Sequence, residues 1–177
     1  MKKNLTKNLE TNRLTLRPVS MTDAPALLSY WSDPEVTKYM NIERFIHIDQ
    51  AKEMIAFFQD AAQKDQANRY SIFLKDQIIG SCGFNYLDIE NQRAEIGYEL
   101  GKSFWGHGYM SEVLKAMVNF AFDELKLVRI EAKVNPQNAA SIHLLERNGF
   151  EKEGLLRQYE KTSKGFNDLY LFSFIQS

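Results

Sequence analysis

Arg93-Ala94-Glu95-Ile96-Gly97-Tyr98-Glu99-Leu100 runs directly into Gly101-Lys102-Ser103-Phe104-Trp105-Gly106-His107-Gly108-Tyr109-Met110. The first segment alternates with the period of a strand: Glu95, Gly97 and Glu99 fall on one side, and Ile96, Tyr98 and Leu100 on the other. Past Gly108, the residues Leu114, Met117, Val118, Ala121, Phe122 and Leu125 recur at helical spacing, which predicts a helix to about Glu124. Strand, glycine turn and helix in that order suit an anion. Glycines let the backbone approach a bulky group, and free N–H groups at the helix start point toward it. The turn lacks the Lys-Ser/Thr ending of a nucleotide P-loop and the third glycine of a dinucleotide fingerprint. Taken alone, it is equally a tight connection that serves packing.

Elements on either side give a mixed α/β pattern. Upstream, Arg13 to Val19 reads as a strand, with Pro18 placing it at a sheet edge or at the strand's end. Ser20 to Asp23 and Asp33-Pro34 are helix-start signals, and residues 48–64 carry a helical stripe of Ala51, Ile55, Phe58 and Ala62. Residues 69–74 and 78–87 are strands, with Gly80 and Gly83 suggesting bulging or close backbone packing. Downstream, residues 127–134 form a strand and 138–148 a short helix stopped by Gly149. Phe150 opens another strand, a hairpin loop surrounds Lys164-Gly165, and residues 169–175 form the last strand. One domain over residues 1–177 is expected, with residues 1–9 a loose N-terminal segment.

Composition excludes several functions. With 22 basic and 23 acidic residues the formal net charge is −1, which speaks against a nucleic-acid partner. Cys82 is the single cysteine, so neither an internal disulfide nor a multi-cysteine metal centre exists, and it reads as a small core residue. His47, His107 and His143 have no metal-ligand spacing. No apolar run suits a membrane span or a secretory leader, so no membrane partner and a cytoplasmic setting are expected.

Several segments occur in the order seen in Gcn5-related N-acetyltransferases. They are Glu95-Ile96-Gly97-Tyr98-Glu99-Leu100, Trp105-Gly106-His107-Gly108-Tyr109, Asn135-Pro136-Gln137-Asn138-Ala139-Ala140-Ser141 and Leu145-Glu146-Arg147-Asn148-Gly149-Phe150. Arg13-Leu14-Thr15-Leu16-Arg17-Pro18 and Gly165-Phe166-Asn167-Asp168 resemble the RimJ/RimL-like branch, which acetylates ribosomal-protein N-termini. The resemblance covers residues 10–175 and implies a twisted, mostly antiparallel sheet flanked by helices, with a V-shaped splay between its middle strands. It implies acetyl-CoA as the acetyl donor, with coenzyme A as product. Its pantetheine arm would pair with the strand carrying Ile96, Tyr98 and Leu100. Its diphosphate would rest on the amides of Trp105, Gly106, His107, Gly108, Tyr109 and Met110. Asn135, Asn138 and Ser141 are further cofactor contacts in this likeness. The sequence departs from the family at Ser103, where Gln or Arg usually opens the turn; Lys102 and His107 are nearby candidates to balance phosphate charge.

Direct transfer from a thioester to an amine requires the amine to lose a proton and the thiolate to be stabilised or protonated. Glu95 matches the catalytic glutamate of histone-acetylating relatives and is the candidate base, its pKa raised toward neutrality by an aromatic pocket. Its structural alternative is an ion pair with Arg93. Glu99 is a second candidate on the same face, more suited to orienting substrate. Leu145 stands where many relatives carry an acidic tyrosine, which leaves Ser141 as the candidate near the sulfur; its alternative is a helix cap. Asn138 is likewise either a cap or a pantetheine contact, and Asn135 a cofactor contact or a turn former.

The branch resemblance points to a protein or peptide α-amine as acceptor. Polyamines, antibiotics and amino-acid derivatives are the small-molecule alternative, and a non-catalytic acyl-CoA sensor is the opposing class. Trp31, Tyr39 and Phe45 fall where relatives shape the acceptor entrance, and Tyr159 is a candidate for the acceptor pocket. A homodimer through the last strands is compatible with the sequence.

Overall fold

The computed structural model describes residues 2–177. Eight strands form one sheet in the order β1-β2-β3-β4-β5-β6-β8-β7. They are β1 (Leu9–Glu10), β2 (Leu14–Pro18), β3 (Tyr70–Leu74), β4 (Gln77–Asp88), β5 (Arg93–Leu100), β6 (Arg129–Val134), β7 (Glu151–Thr162) and β8 (Gly165–Ile175). Every adjacent pair is antiparallel except β5 and β6. A parallel neighbour requires a crossover. Here the crossover is the glycine turn, α4 (Tyr109–Asn119) and a π-helical turn over Phe120–Glu124.

The β5–β6 pair holds for only Arg93↔Arg129, Ala94↔Ile130 and Glu95↔Glu131. Beyond that point β5 stays paired with β4 as far as Leu100, while its other edge faces a gap. This is the splay expected between the middle strands.

The alternation read in β5 divides two cores. Ile96 and Leu100 are buried with Val113, Leu114, Met117 and Ala121 beneath α4. On the opposite side, α1 (Ala24–Trp31) and α3 (Ile48–Gln63) bury Leu27, Trp31, Ala51, Ile55 and Phe58. The short α2 (Pro34–Thr37) opens with Pro34, and the Asp33 side chain accepts from the Glu35 amide at 2.9 Å. The last helix, α5 (Ala139–Arg147), ends as expected: Gly149 adopts φ 86°, and the Phe150 amide reaches back to the Leu145 carbonyl at 3.0 Å.

The chain start differs from the loose segment expected over residues 1–9. Leu5 is buried, and its carbonyl accepts from Asn68 Nδ2 at 3.0 Å and from the Tyr70 hydroxyl at 3.2 Å. The Lys3 ammonium bonds the Leu125 carbonyl at 2.9 Å, and Leu9 and Glu10 pair with β2. Apolar Leu5 and Leu9 dock this otherwise polar stretch onto the main core, while Met1 lies outside the described residues. Pro18 ends its strand, as its missing N–H requires. Among the described residues, no helix is long and apolar enough to cross a membrane.

Candidate active site

A cavity of about 970 Å³ occupies the splay. Its floor is β5 and β6. The glycine turn and the start of α4 close one end, α5 borders it, and Tyr159 and Glu160 of β7 reach in from the far side.

The turn leaves backbone donors open at the start of α4. Gly106 and Gly108 take φ 78° and 77°, the left-handed region that L side chains rarely adopt. Gly108 caps α4, and the Glu112 amide bonds the Gly108 carbonyl at 3.3 Å, so the amides of Tyr109, Met110 and Ser111 have no preceding helical carbonyl to meet. Arg13 fixes the turn from outside. Its guanidinium donates to the His107 carbonyl at 2.9 Å, pairs with Glu112 and lies 4.4 Å over the Tyr109 ring. Because the two ends of a trans peptide unit point oppositely, this contact turns the Gly108 N–H away from Arg13. Lys102, a candidate for charge balance, instead faces Glu35 at 3.9 Å.

The cavity brings together nearly all the predicted site residues. Glu95, Ile96, Tyr98 and Leu100 line it from β5, and Trp105, Gly106, Gly108, Tyr109 and Met110 from the turn and helix start. Asn135, Asn138 and Ser141 complete it. His107 is exposed and does not line it. Of the aromatic entrance candidates, Trp31 and Tyr39 line the cavity, while Phe45 packs edge-on against Trp31 at 5.9 Å.

Several of these cavity-lining polar residues also serve the fold. Asn138 caps α5, accepting from the Ser141 amide at 3.2 Å. Ser141 is therefore not the cap, and its hydroxyl instead meets the Tyr98 hydroxyl at 2.6 Å. Asn135 forms its own turn by accepting from the Gln137 amide at 2.9 Å. Leu145 is fully buried in the core. Cys82 is buried too, and that burial pushes its thiol pKa up, with Arg69 opposing, which suits an inert packing residue.

The carboxylates differ from expectation. Glu95 bonds Lys133 Nζ at 2.8 Å, while Arg93 turns to Asp88 at 3.1 Å. The surroundings of Glu95 are thus an ion pair rather than an apolar wall. On Lys133, desolvation works to lower the pKa, but the contacts with Glu95 and Tyr159 outweigh it and raise it. Glu99 is not free to orient a substrate. It is buried, it accepts from Trp31 Nε1 at 2.9 Å and from the Ser81 hydroxyl, and it pairs with Arg69 at 2.8 Å.

Glu160 was not singled out by the sequence. It lines the cavity, and its pKa is raised, first by burial and further by the charge of Glu95. Asn167, Asn41 and Lys133 oppose that rise. A β-bulge places it there. Leu156 pairs with Leu169 and Glu160 with Asn167, so three residues of β7 stand opposite one of β8. At the bulge Gln158 takes φ 47°, held by its amide donating to Asp168 at 2.7 Å. Tyr159 and Glu160 consequently both reach the cavity, although strand neighbours ordinarily alternate.

Comparison with known proteins identifies the family and the fold. A family model described as an acetyltransferase (GNAT) domain matches residues 13–151. An uncharacterised N-acetyltransferase, p20 of Bacillus licheniformis, is 51% identical over 172 residues, covering 96% of this chain and 97% of its own. A Salmonella typhimurium acetyltransferase described as modifying the N-terminal serine of ribosomal protein L7/L12 superposes with a TM-score of 0.87. That likeness has 26% identity and covers 97% of this chain and 100% of the other. A RimL enzyme solved with coenzyme A has a TM-score of 0.86 at 25% identity, covering 96% and 98% of the two chains.

Proposed function

The chain belongs to the GNAT acetyltransferase family, and on that premise we propose that residues 1–177 form one acetyltransferase domain whose acceptor is the α-amine of a peptide or protein. It is an N-acetyltransferase with acetyl-CoA as cosubstrate. The likeness to an acetyltransferase described as acting on a protein N-terminus carries the acceptor reading, and the carboxylates of Glu95 and Glu160, which both line the cavity, suit an incoming ammonium. Two carboxylates beside one ammonium, Lys133, leave negative charge available to an incoming ammonium group.

The residues present fit a coenzyme. The amides of Gly108, Tyr109 and Met110 and the α4 dipole suit the diphosphate, and the free β5 edge beside Ile96, Tyr98 and Leu100 suits the amides of a pantetheine arm. When bound, the thioester supplies an acetyl carbonyl open to attack by an amine. Glu160 takes a proton from the acceptor ammonium through its carboxylate, and its raised pKa makes it a stronger base than an ordinary glutamate. Glu95, tied to Lys133, holds the acceptor in place and keeps negative charge beside Glu160. Ser141 offers its Oγ proton to the departing sulfur.

A panel of peptides with free and blocked N-termini, assayed beside polyamines by thiol release from acetyl-CoA, tests the acceptor. Turnover is expected only with free α-amines. Turnover confined to the small amines would overturn the reading.

Gly108→Val tests the cradle. A β-branched side chain at φ 77° is strained, and relief by rotating the peptide would turn an amide out of the site. Calorimetry is expected to show the acetyl-CoA Kd raised by about tenfold or more, given a cost of roughly 1–3 kcal/mol for a non-glycine residue held there.

A further inference from the structure

We propose that Tyr98 is a positioning residue for proton delivery: its phenol holds and polarises the Ser141 hydroxyl that protonates the departing thiolate. The inference rests on the reading of Ser141 given above and goes one residue deeper into the same site.

The family's helix tyrosine is absent here, and the buried Leu145 in its place can donate nothing. Serine alone is a poor acid, because the oxygen left behind carries charge in a confined space. The structure supplies a remedy from the facing strand. Tyr98 points from β5 toward α5, and its hydroxyl lies 2.6 Å from Ser141 Oγ. The Asn138 cap fixes the backbone of Ser141 by its amide, so the hydroxyl is held from two directions.

The chemistry follows from which group keeps its proton. Burial pushes the Tyr98 pKa up to about 12, against a lowering contribution from Ser141, so the phenol stays protonated near neutrality. When Ser141 turns its hydrogen toward an anion in the cavity, Tyr98 can donate to the serine oxygen it faces. That donation strengthens as negative charge develops on Oγ. The protons balance. As the C–N bond forms and the C–S bond breaks, the electron pair leaves on sulfur. The acceptor ammonium first gives one proton to Glu160, which passes it to solvent. As the resulting neutral amine attacks, its second N–H proton goes to Glu160 and the Ser141 proton to sulfur, so one proton is released overall. The Glu160 proton then returns to Ser141 through solvent, and Tyr98 keeps its own throughout.

Tyr98→Phe removes one oxygen and leaves the ring in place. Losing one hydrogen bond of roughly 1.4 kcal/mol in the transition state corresponds to a fall in kcat of about tenfold. The KM for acetyl-CoA and the coenzyme A affinity by calorimetry are expected to stay within about twofold, since the lost contact acts on the chemical step. In a Ser141→Ala background, Tyr98→Phe is expected to have no further effect. Full activity of Tyr98→Phe alongside an impaired Ser141→Ala enzyme would overturn this inference and leave the reading of Ser141 standing. Additive losses, or lost coenzyme A binding in Tyr98→Phe, would also overturn it. An unimpaired Ser141→Ala enzyme would overturn both.

Discussion

Replacing Glu160 by Gln is expected to lower kcat by on the order of a hundredfold or more, the range lost when a positioned general base is removed. Gln keeps the size and the hydrogen-bonding oxygen of the side chain, so the neighbouring amides Asn41 and Asn167 retain a partner. What disappears is the proton acceptor. The pH profile gives the decisive signature. A base works only when deprotonated, so activity in the parent falls as pH drops through the Glu160 pKa. Burial and the Glu95 charge place that limb above the ordinary glutamate range. In Glu160→Gln the acid limb is expected to vanish, leaving the rise with pH set by the acceptor amine. Glu95→Gln is expected to lower turnover more than cofactor affinity while keeping the acid limb. Its loss releases Lys133, whose ammonium then pulls more strongly on Glu160 and shifts the limb to lower pH. An unchanged limb in Glu160→Gln would remove it as the base.

The largest effect on stability is expected at Glu99. Its carboxylate and the Arg69 guanidinium are both buried, with 4% and 7% of their side chains exposed. Arg69 also donates to the Ser81 hydroxyl at 3.1 Å and to the Gly97 carbonyl at 3.3 Å, while Trp31 and Ser81 donate to Glu99. Truncation to Ala leaves a buried cation without its counter-charge and strands the Trp31 N–H, a combination that costs about 3–5 kcal/mol. Urea denaturation is expected to show a midpoint lowered accordingly with an unchanged slope. Replacing Arg69 by Met and Glu99 by Leu together is expected to recover much of the loss, because the isolated charge is what is expensive. A Glu99→Ala midpoint within error of the parent would show that water reaches Arg69 and that the pair is not dry.

Much of this was legible in the sequence because the relevant signals are local. The alternation of Glu95 to Leu100 set the two faces of β5, and the two left-handed glycines marked the turn before α4. Both follow from backbone geometry within a few residues. Glu160 escaped because its placement depends on the bulge in β7. The residue in the left-handed conformation there is Gln158 rather than a glycine, and the group that holds it, Asp168, comes from the next strand. The partners of Glu95 and Ser141 escaped for a related reason. Lys133 and Tyr98 lie on different elements, brought close only across the gap. The docking of the chain start was hidden by the polar composition around Leu5 and Leu9, whose burial depends on distant Asn68 and Tyr70.

The brief meeting of β5 and β6 has a consequence for how the chain can be divided. Every strand before α4 belongs to one half-sheet and every strand after it to the other, stitched by a seam of three residue pairs. Glu95 and the glycine turn come from the first half; Lys133, Ser141 and Glu160 come from the second. Two polypeptides severed near Lys126 would each carry an incomplete set of chemical tools, and the reaction itself would report their reunion.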